Sequence, residues 1–155
     1  MKKSRFLSLV LTLSVLAALF LPVSASALEE PALNCTHAVL LDANYNEVLY
    51  EKGAYEKAYP ASTTKVMTAL LVLEAIENGQ LSPSTMVTAG PTRMQDIPSG
   101  AGYVVASLKE GEVMSVEDLL YCVMLPSAAD AANVLAVEVD GTIEDFVTHM
   151  NRKAG

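Results

Sequence analysis

The chain has 155 residues, is 52% hydrophobic and carries a formal net charge of −8 at pH 7. That acidity argues against nucleic acid or an anionic membrane surface as a partner. Two cysteines, Cys35 and Cys122, are too few for a disulfide framework, and no His/Cys cluster has metal-ligand spacing.

Lys2, Lys3 and Arg5 precede an apolar run over residues 6–21, Pro22 ends it, and Ala25-Ser26-Ala27 offers small residues for cleavage. This predicts a secretory signal over residues 1–27, with an uncleaved anchor helix as the alternative. Cys35 lies well past the run, which argues against a lipoprotein anchor. Loss of the three cations takes the charge from −8 to −11 for residues 28–155. No later helix-length apolar run is free of charge or proline. Residues 28–155 are therefore expected to act outside the cytoplasm, secreted, periplasmic or in the cell envelope, without membrane contact of their own.

Ala38–Asp42 and Glu47-Val48-Leu49-Tyr50 read as strands, joined through Ala43-Asn44-Tyr45-Asn46, whose asparagines tolerate left-handed turn geometry. A β-hairpin is expected, its first strand apolar enough to want cover on both faces. His37 falls in the strand pattern and His149 in a late helix; both are read as structural.

Pro60-Ala61-Ser62-Thr63-Thr64-Lys65 leads directly into Val66-Met67-Thr68-Ala69-Leu70-Leu71-Val72-Leu73-Glu74-Ala75-Ile76. A helix opened by Ser62 is predicted, apolar on nearly every face and so buried, ending at Asn78-Gly79. Ser62 and Lys65, three apart, share a helix face with Cβ atoms roughly 5–6 Å apart. A hydroxyl beside an amine that leads into an apolar run suits a nucleophile and its activating base. The bare spacing also fits a capping serine followed by a solvated charge.

Residues 81–102 are rich in Ser, Pro, Thr and Gly. Thr85-Met86-Val87-Thr88 and Tyr103-Val104-Val105-Ala106 are expected as short strands, and Lys109-Glu110-Gly111-Glu112 as a turn. Ser115 caps a helix with Asp118 in a capping-box arrangement, and Pro126 breaks it. Cys122 fits that helix as a small buried apolar residue; a Cys35–Cys122 bridge is the alternative. Residues 131–139 read as helical, Asp140-Gly141 ends them, and Thr142 with Asp145 caps a last helix.

The hairpin followed by Pro-Ala-Ser-Thr-Thr-Lys and Met67-Thr68-Ala69-Leu70-Leu71 resembles the D-alanyl-D-alanine carboxypeptidases, the low-molecular-mass penicillin-binding proteins of the bacterial wall. Leu41-Asp42, Gly111-Glu112, Val116-Glu117-Asp118-Leu119-Leu120 and Met150-Asn151 extend the likeness from about Ala38 to the chain end. The resemblance implies an α+β fold of the DD-peptidase/β-lactamase type, an antiparallel sheet packed against a helical region with Ser62 at their junction. It implies that Ser62 attacks the terminal D-Ala-D-Ala amide of peptidoglycan stem peptides, with Lys65 in the place of the family's base. β-Lactam antibiotics, which mimic that substrate, would acylate Ser62. Serine and lysine carry such chemistry, so no metal or organic cofactor is expected.

The family's second motif is Ser-X-Asn, and Ser127-Ala128-Ala129 aligns with it. Ser127 fits as a proton relay, a post-proline helix cap being the alternative. Ala129 departs from the pattern, since a methyl cannot bond a substrate carbonyl; losing one such group typically costs on the order of 10²–10³ in rate. Asn133 could substitute only from about 6 Å further along the helix. The third motif, Lys-Thr-Gly, does not occur in this sequence. Residues 28–155 are therefore expected to be the N-terminal part of a catalytic domain, incomplete at its C-terminus and inactive alone. A complete product that has lost catalysis and only binds or senses peptidoglycan is the alternative, as is a class A-like β-lactamase.

Overall fold

Asp42 closes the first turn of the chain. Its Oδ1 accepts the backbone N–H groups of Asn44 and Tyr45 at 2.8 and 3.3 Å, the local bonding that asparagine- and aspartate-rich turns favour. Asn46 takes the left-handed φ of +53°, and the chain returns as a hairpin. Strand β1 (Ala38–Asp42) pairs antiparallel with β2 (Glu47–Lys52), with a bulge at Leu40/Leu41. The hairpin matches the sequence reading, with β2 two residues longer; His37 precedes β1 rather than lying in it. Gly53, at φ +55°, has no room for a side chain, because a Cβ there would lie 2.8 Å from the Thr36 carbonyl oxygen. Among the described residues this sheet has two strands, and Val39, Leu40 and Leu41 are exposed.

The computed structural model describes Thr12 and residues 29–100 and 102–155; the expected signal segment, residues 1–27, lies outside the described residues apart from Thr12. The chain divides into two units, Met1–Glu56, which carries the hairpin, and Lys57–Gly155. The second unit contains α1 (Thr64–Glu77), β3 (Met86–Thr88), β4 (Val113–Ser115), α2 (Val116–Met124), α3 (Ala129–Asp140) and α4 (Ile143–Ala154). Among its described residues no helix is long and apolar enough to cross a membrane.

Helix α3 is the hub, touching α1, α2 and α4. Leu71 and Val72 from α1, Leu119 and Val123 from α2, Val134 and Leu135 from α3, and Phe146 from α4 join one buried cluster, which Val87 of β3 also enters. Each such side chain contributes about 1.5–3 kcal/mol through burial. The helix ends follow the sequence. Ser115 Oγ accepts the Asp118 N–H at 3.1 Å and Thr142 Oγ1 that of Asp145 at 3.0 Å. Gly141 ends α3 at φ +84°, a conformation that strains any side chain-bearing residue.

Four expectations are corrected. Ser62 does not open the α-helix; it sits in a 3₁₀ turn, Ala61–Thr63, ahead of α1. Ala61 is left-handed at φ +49° and the Thr63 N–H reaches the Pro60 carbonyl at 3.2 Å, which winds this turn more tightly. Helix α1 is not buried all round: Val66, Leu70 and Leu73 are 60%, 39% and 54% exposed, one stripe at i, i+4 and i+7. Residues 103–106 are not a strand, because their backbone bonds to the start of α3 instead. Strand β4 occupies the place beside β3, with Val87 opposite Met114. Helix α3, finally, starts at Ala129, two residues earlier than its apolar pattern suggests.

Candidate active site

Ser62 and Lys65 lie in consecutive helical turns, the 3₁₀ turn and the first turn of α1, so both side chains emerge at the same helix mouth. Lys65 Nζ lies 3.5 Å from Ser62 Oγ, within donating distance. Ser62 is exposed and Lys65 half-buried, not buried as the apolar run suggested. Among the described residues no carboxylate pairs with Lys65, and the first turn of α1 holds no acid. The amine is thus directed at the hydroxyl rather than neutralised by an ion pair. The backbone N–H groups of Thr63 and Thr64 are taken by the Pro60 and Ala61 carbonyls of the 3₁₀ turn.

Ser127 enters from the other side. The break at Pro126 leaves it at φ +69°, a left-handed conformation that costs a non-glycine residue about 1–2 kcal/mol. Its hydroxyl oxygen is buried and has no hydrogen-bond partner among the described residues. The helix-cap alternative for Ser127 does not hold: the N-cap of α3 is Ala128, and no side chain caps that end. Ser62, Lys65 and Ser127 line one cleft of about 510 Å³, with Tyr59, Tyr103 and Val104. A strained backbone that holds an unpaired hydroxyl in a cleft is the kind of outlier that concentrates at functional sites.

Ala129 supplies no polar side-chain atom; its backbone N–H donates to the Val104 carbonyl at 2.8 Å. Asn133 does not stand in for an asparagine there. Its amide donates to the Arg93 and Gln95 carbonyls at 3.1 and 2.9 Å, so both hydrogens are committed. Asp130, wholly buried, fixes the wall that carries Tyr103 and Val104. Its Oδ1 accepts the Ala106 N–H at 2.8 Å and the Ala131 N–H at 3.0 Å, and its Oδ2 the Leu108 N–H at 2.9 Å. These donors compensate a buried carboxylate, which would otherwise be costly. The sequence reading missed Tyr103, Val104 and Asp130 as parts of the site. An aspartate in a first helical turn reads as an ordinary complement to the helix dipole, and nothing local shows that it holds a loop.

Cys122 is half-buried and free, as is the exposed Cys35. Burial raises the Cys122 thiol pKa, with Asp130, Asp118 and Glu112 adding to the rise. His149 Nδ1 lies 2.9 Å from Asp140 Oδ2, which ties α4 back to the end of α3.

A family model described as D-alanyl-D-alanine carboxypeptidase matches residues 24–155. The chain belongs to this carboxypeptidase family. It is 35% identical over 125 residues to the D-alanyl-D-alanine carboxypeptidase DacF of Bacillus subtilis, covering 81% of this chain and 31% of that one. Penicillin binding protein 5 from Haemophilus influenzae superposes with a TM-score of 0.73 at 30% identity, over 81% of this chain and 36% of that one. Penicillin-Binding Protein D2 from Listeria monocytogenes, solved with ampicillin bound, gives a TM-score of 0.63 at 32% identity, over 81% of this chain and 48% of that one. The chain spans about a third of the length of the curated carboxypeptidases it matches. The α+β fold class read from the sequence is thus the fold of the DD-peptidases.

Proposed function

We propose that this chain carries the nucleophile-bearing part of a serine-type D-Ala-D-Ala carboxypeptidase acting on peptidoglycan stem peptides outside the cytoplasm. The observation that carries this reading is Lys65 Nζ at 3.5 Å from Ser62 Oγ in a cleft that Ser127 also lines. Lys65 acts as the base and takes the Ser62 proton as Oγ bonds to the carbonyl carbon of the penultimate D-alanine. The contact is slightly longer than a working proton-transfer bond, as catalytic contacts often are before a ligand arrives. The oxyanion that forms faces the backbone N–H of Ser62 itself. The C–N bond then breaks, the departing amine takes its proton through Lys65 and Ser127, and D-alanine leaves. Water hydrolyses the Ser62 ester and regenerates the hydroxyl. A penicillin would follow the first half of this path and remain attached.

The test is labelling with a fluorescent penicillin of the protein expressed from its own gene. Labelling at Ser62, lost in Ser62→Ala, is the expected result; labelling that persists in Ser62→Ala overturns the assignment.

A second reading has its own support: a homologue that binds stem peptides without turnover. Ala129 carries only a methyl, and the Asn133 amide is committed elsewhere, so the cleft has no amide at either place. Release of D-alanine from a stem peptide supports the first reading, and binding without release supports the second. Repeated hydrolysis of penicillin, rather than one-time capture, would indicate a β-lactamase.

A further inference from the structure

The wall segment 103–106 is bonded along one side only. The Val104 carbonyl accepts the Ala129 N–H at 2.8 Å, and the Ala106 N–H donates to Asp130 Oδ1 at 2.8 Å. In extended backbone the N–H and C=O of one residue lie on one side and those of its neighbours on the other. Tyr103 and Val105 therefore turn their N–H and C=O groups away from α3. Among the described residues none of these four groups has a hydrogen-bond partner. Ser107, left-handed at φ +62°, ends the run, and just beyond it the Leu108 N–H donates to Asp130 Oδ2. The segment is thus pinned at 104, 106 and 108 and open at 103 and 105. Tyr103 and Val104 line the cleft that holds Ser62, so the open edge borders that cleft.

We propose that the open edge at Tyr103 and Val105 pairs, as one β-strand with another, with the ligand peptide just upstream of the carbonyl that Ser62 attacks. The inference rests on the reading of Ser62 and Lys65 given above. The residue under attack turns its carbonyl towards Ser62. In an extended ligand the residue before it turns its N–H and C=O the opposite way, towards the cleft wall. An unpaired edge is a template for an added strand. Pairing of this kind reads the ligand's main chain and makes no demand on its side chains. The bonds to α3 fix the edge before a ligand arrives, so little ordering of the protein offsets the gain.

The experiment titrates ¹⁵N-labelled Ser62→Ala protein, expressed from its own gene, with N-acetyl-L-Ala-D-Ala-D-Ala and with acetyl-L-lactyl-D-Ala-D-Ala, in which oxygen replaces the L-Ala N–H. The amide peptide is expected to move the Tyr103 and Val105 amide protons downfield. Those of Ala106 and Leu108, already bonded to Asp130, should hold their place. The ester should bind about three- to tenfold more weakly, the worth of one hydrogen bond. Val105→Pro, which removes an edge donor, should weaken the amide peptide by a similar factor, and Val105→Ala, which keeps that donor, should not. Binding that leaves Tyr103 and Val105 unmoved, equal binding of amide and ester, or binding of neither overturns the proposal. Should Val105→Pro not fold, the two ligands and the amide signals decide. Penicillin labelling of the protein that retains Ser62 tests the nucleophile separately, so loss of labelling and loss of pairing are distinct results.

Discussion

Asp130 Oδ2 accepts the backbone N–H of Leu108 at 2.9 Å, across 22 residues of sequence. With the Ala106 N–H on the other oxygen, the bond fixes the loop wall of the cleft to the first turn of α3. Asp130→Ala leaves these buried donors unmatched and should cost about 3 kcal/mol or more in urea unfolding. Asp130→Asn keeps one acceptor oxygen and should recover part of the loss. An alanine variant as stable as the parent would show that the loop is held by something else.

Lys65 has Ser62 Oγ as its polar neighbour, and among the described residues no carboxylate pairs with it. Lys65→Ala removes the proton acceptor and should slow penicillin acylation by about 10²–10⁴. Lys65→Arg keeps the charge but cannot take a proton near neutral pH, so it should be as slow. Stopped-flow acylation rates check both, and a fast arginine variant would make the charge, rather than the basicity, the active property.

Ser127 combines φ +69° with a buried, unpartnered hydroxyl. Ser127→Gly relieves both and should stabilise the fold by about 0.5–1 kcal/mol. If the hydroxyl relays protons, the same variant should acylate about 10² times more slowly. A higher melting temperature with undiminished acylation would leave Ser127 with no chemical task.

Restoring an amide at position 129 is the complementary change. Ala129→Asn keeps the backbone bond to Val104 and puts a donor and an acceptor at the position where the family's motif carries asparagine. Acylation by penicillin should rise by about tenfold or more, given what single polar contacts to a transition state contribute. An unchanged rate would mean that this cleft manages without the group.

The two cysteines should separate in a pH series. Burial, then Asp130, Asp118 and Glu112, raise the Cys122 pKa, so its thiolate forms only at higher pH than an ordinary thiol's. Cys35 is exposed. Iodoacetamide near pH 8 should therefore modify Cys35 first, and Cys122 should follow only as the pH rises; mass mapping of the alkylated peptides reads the order.

What the sequence determined by itself was local. The Asn-rich hairpin turn, the Ser115 and Thr142 caps, the break at Pro126 and the stop at Gly141 each follow from steric and hydrogen-bonding rules acting over a few residues. The three-residue spacing of Ser62 and Lys65 likewise needed only a helical turn, 3₁₀ or α, to bring the two side chains together. What tertiary structure alone decided was which distant segments share a wall. Residues 103–106 have a strand's composition, yet their N–H and C=O groups go to Asp130 and Ala129, and β4 takes the place beside β3. Strand pairing and buried carboxylates are long-range choices, settled by which partners satisfy backbone groups once the core closes. The unpaired Ser127 hydroxyl is a product of that same closure.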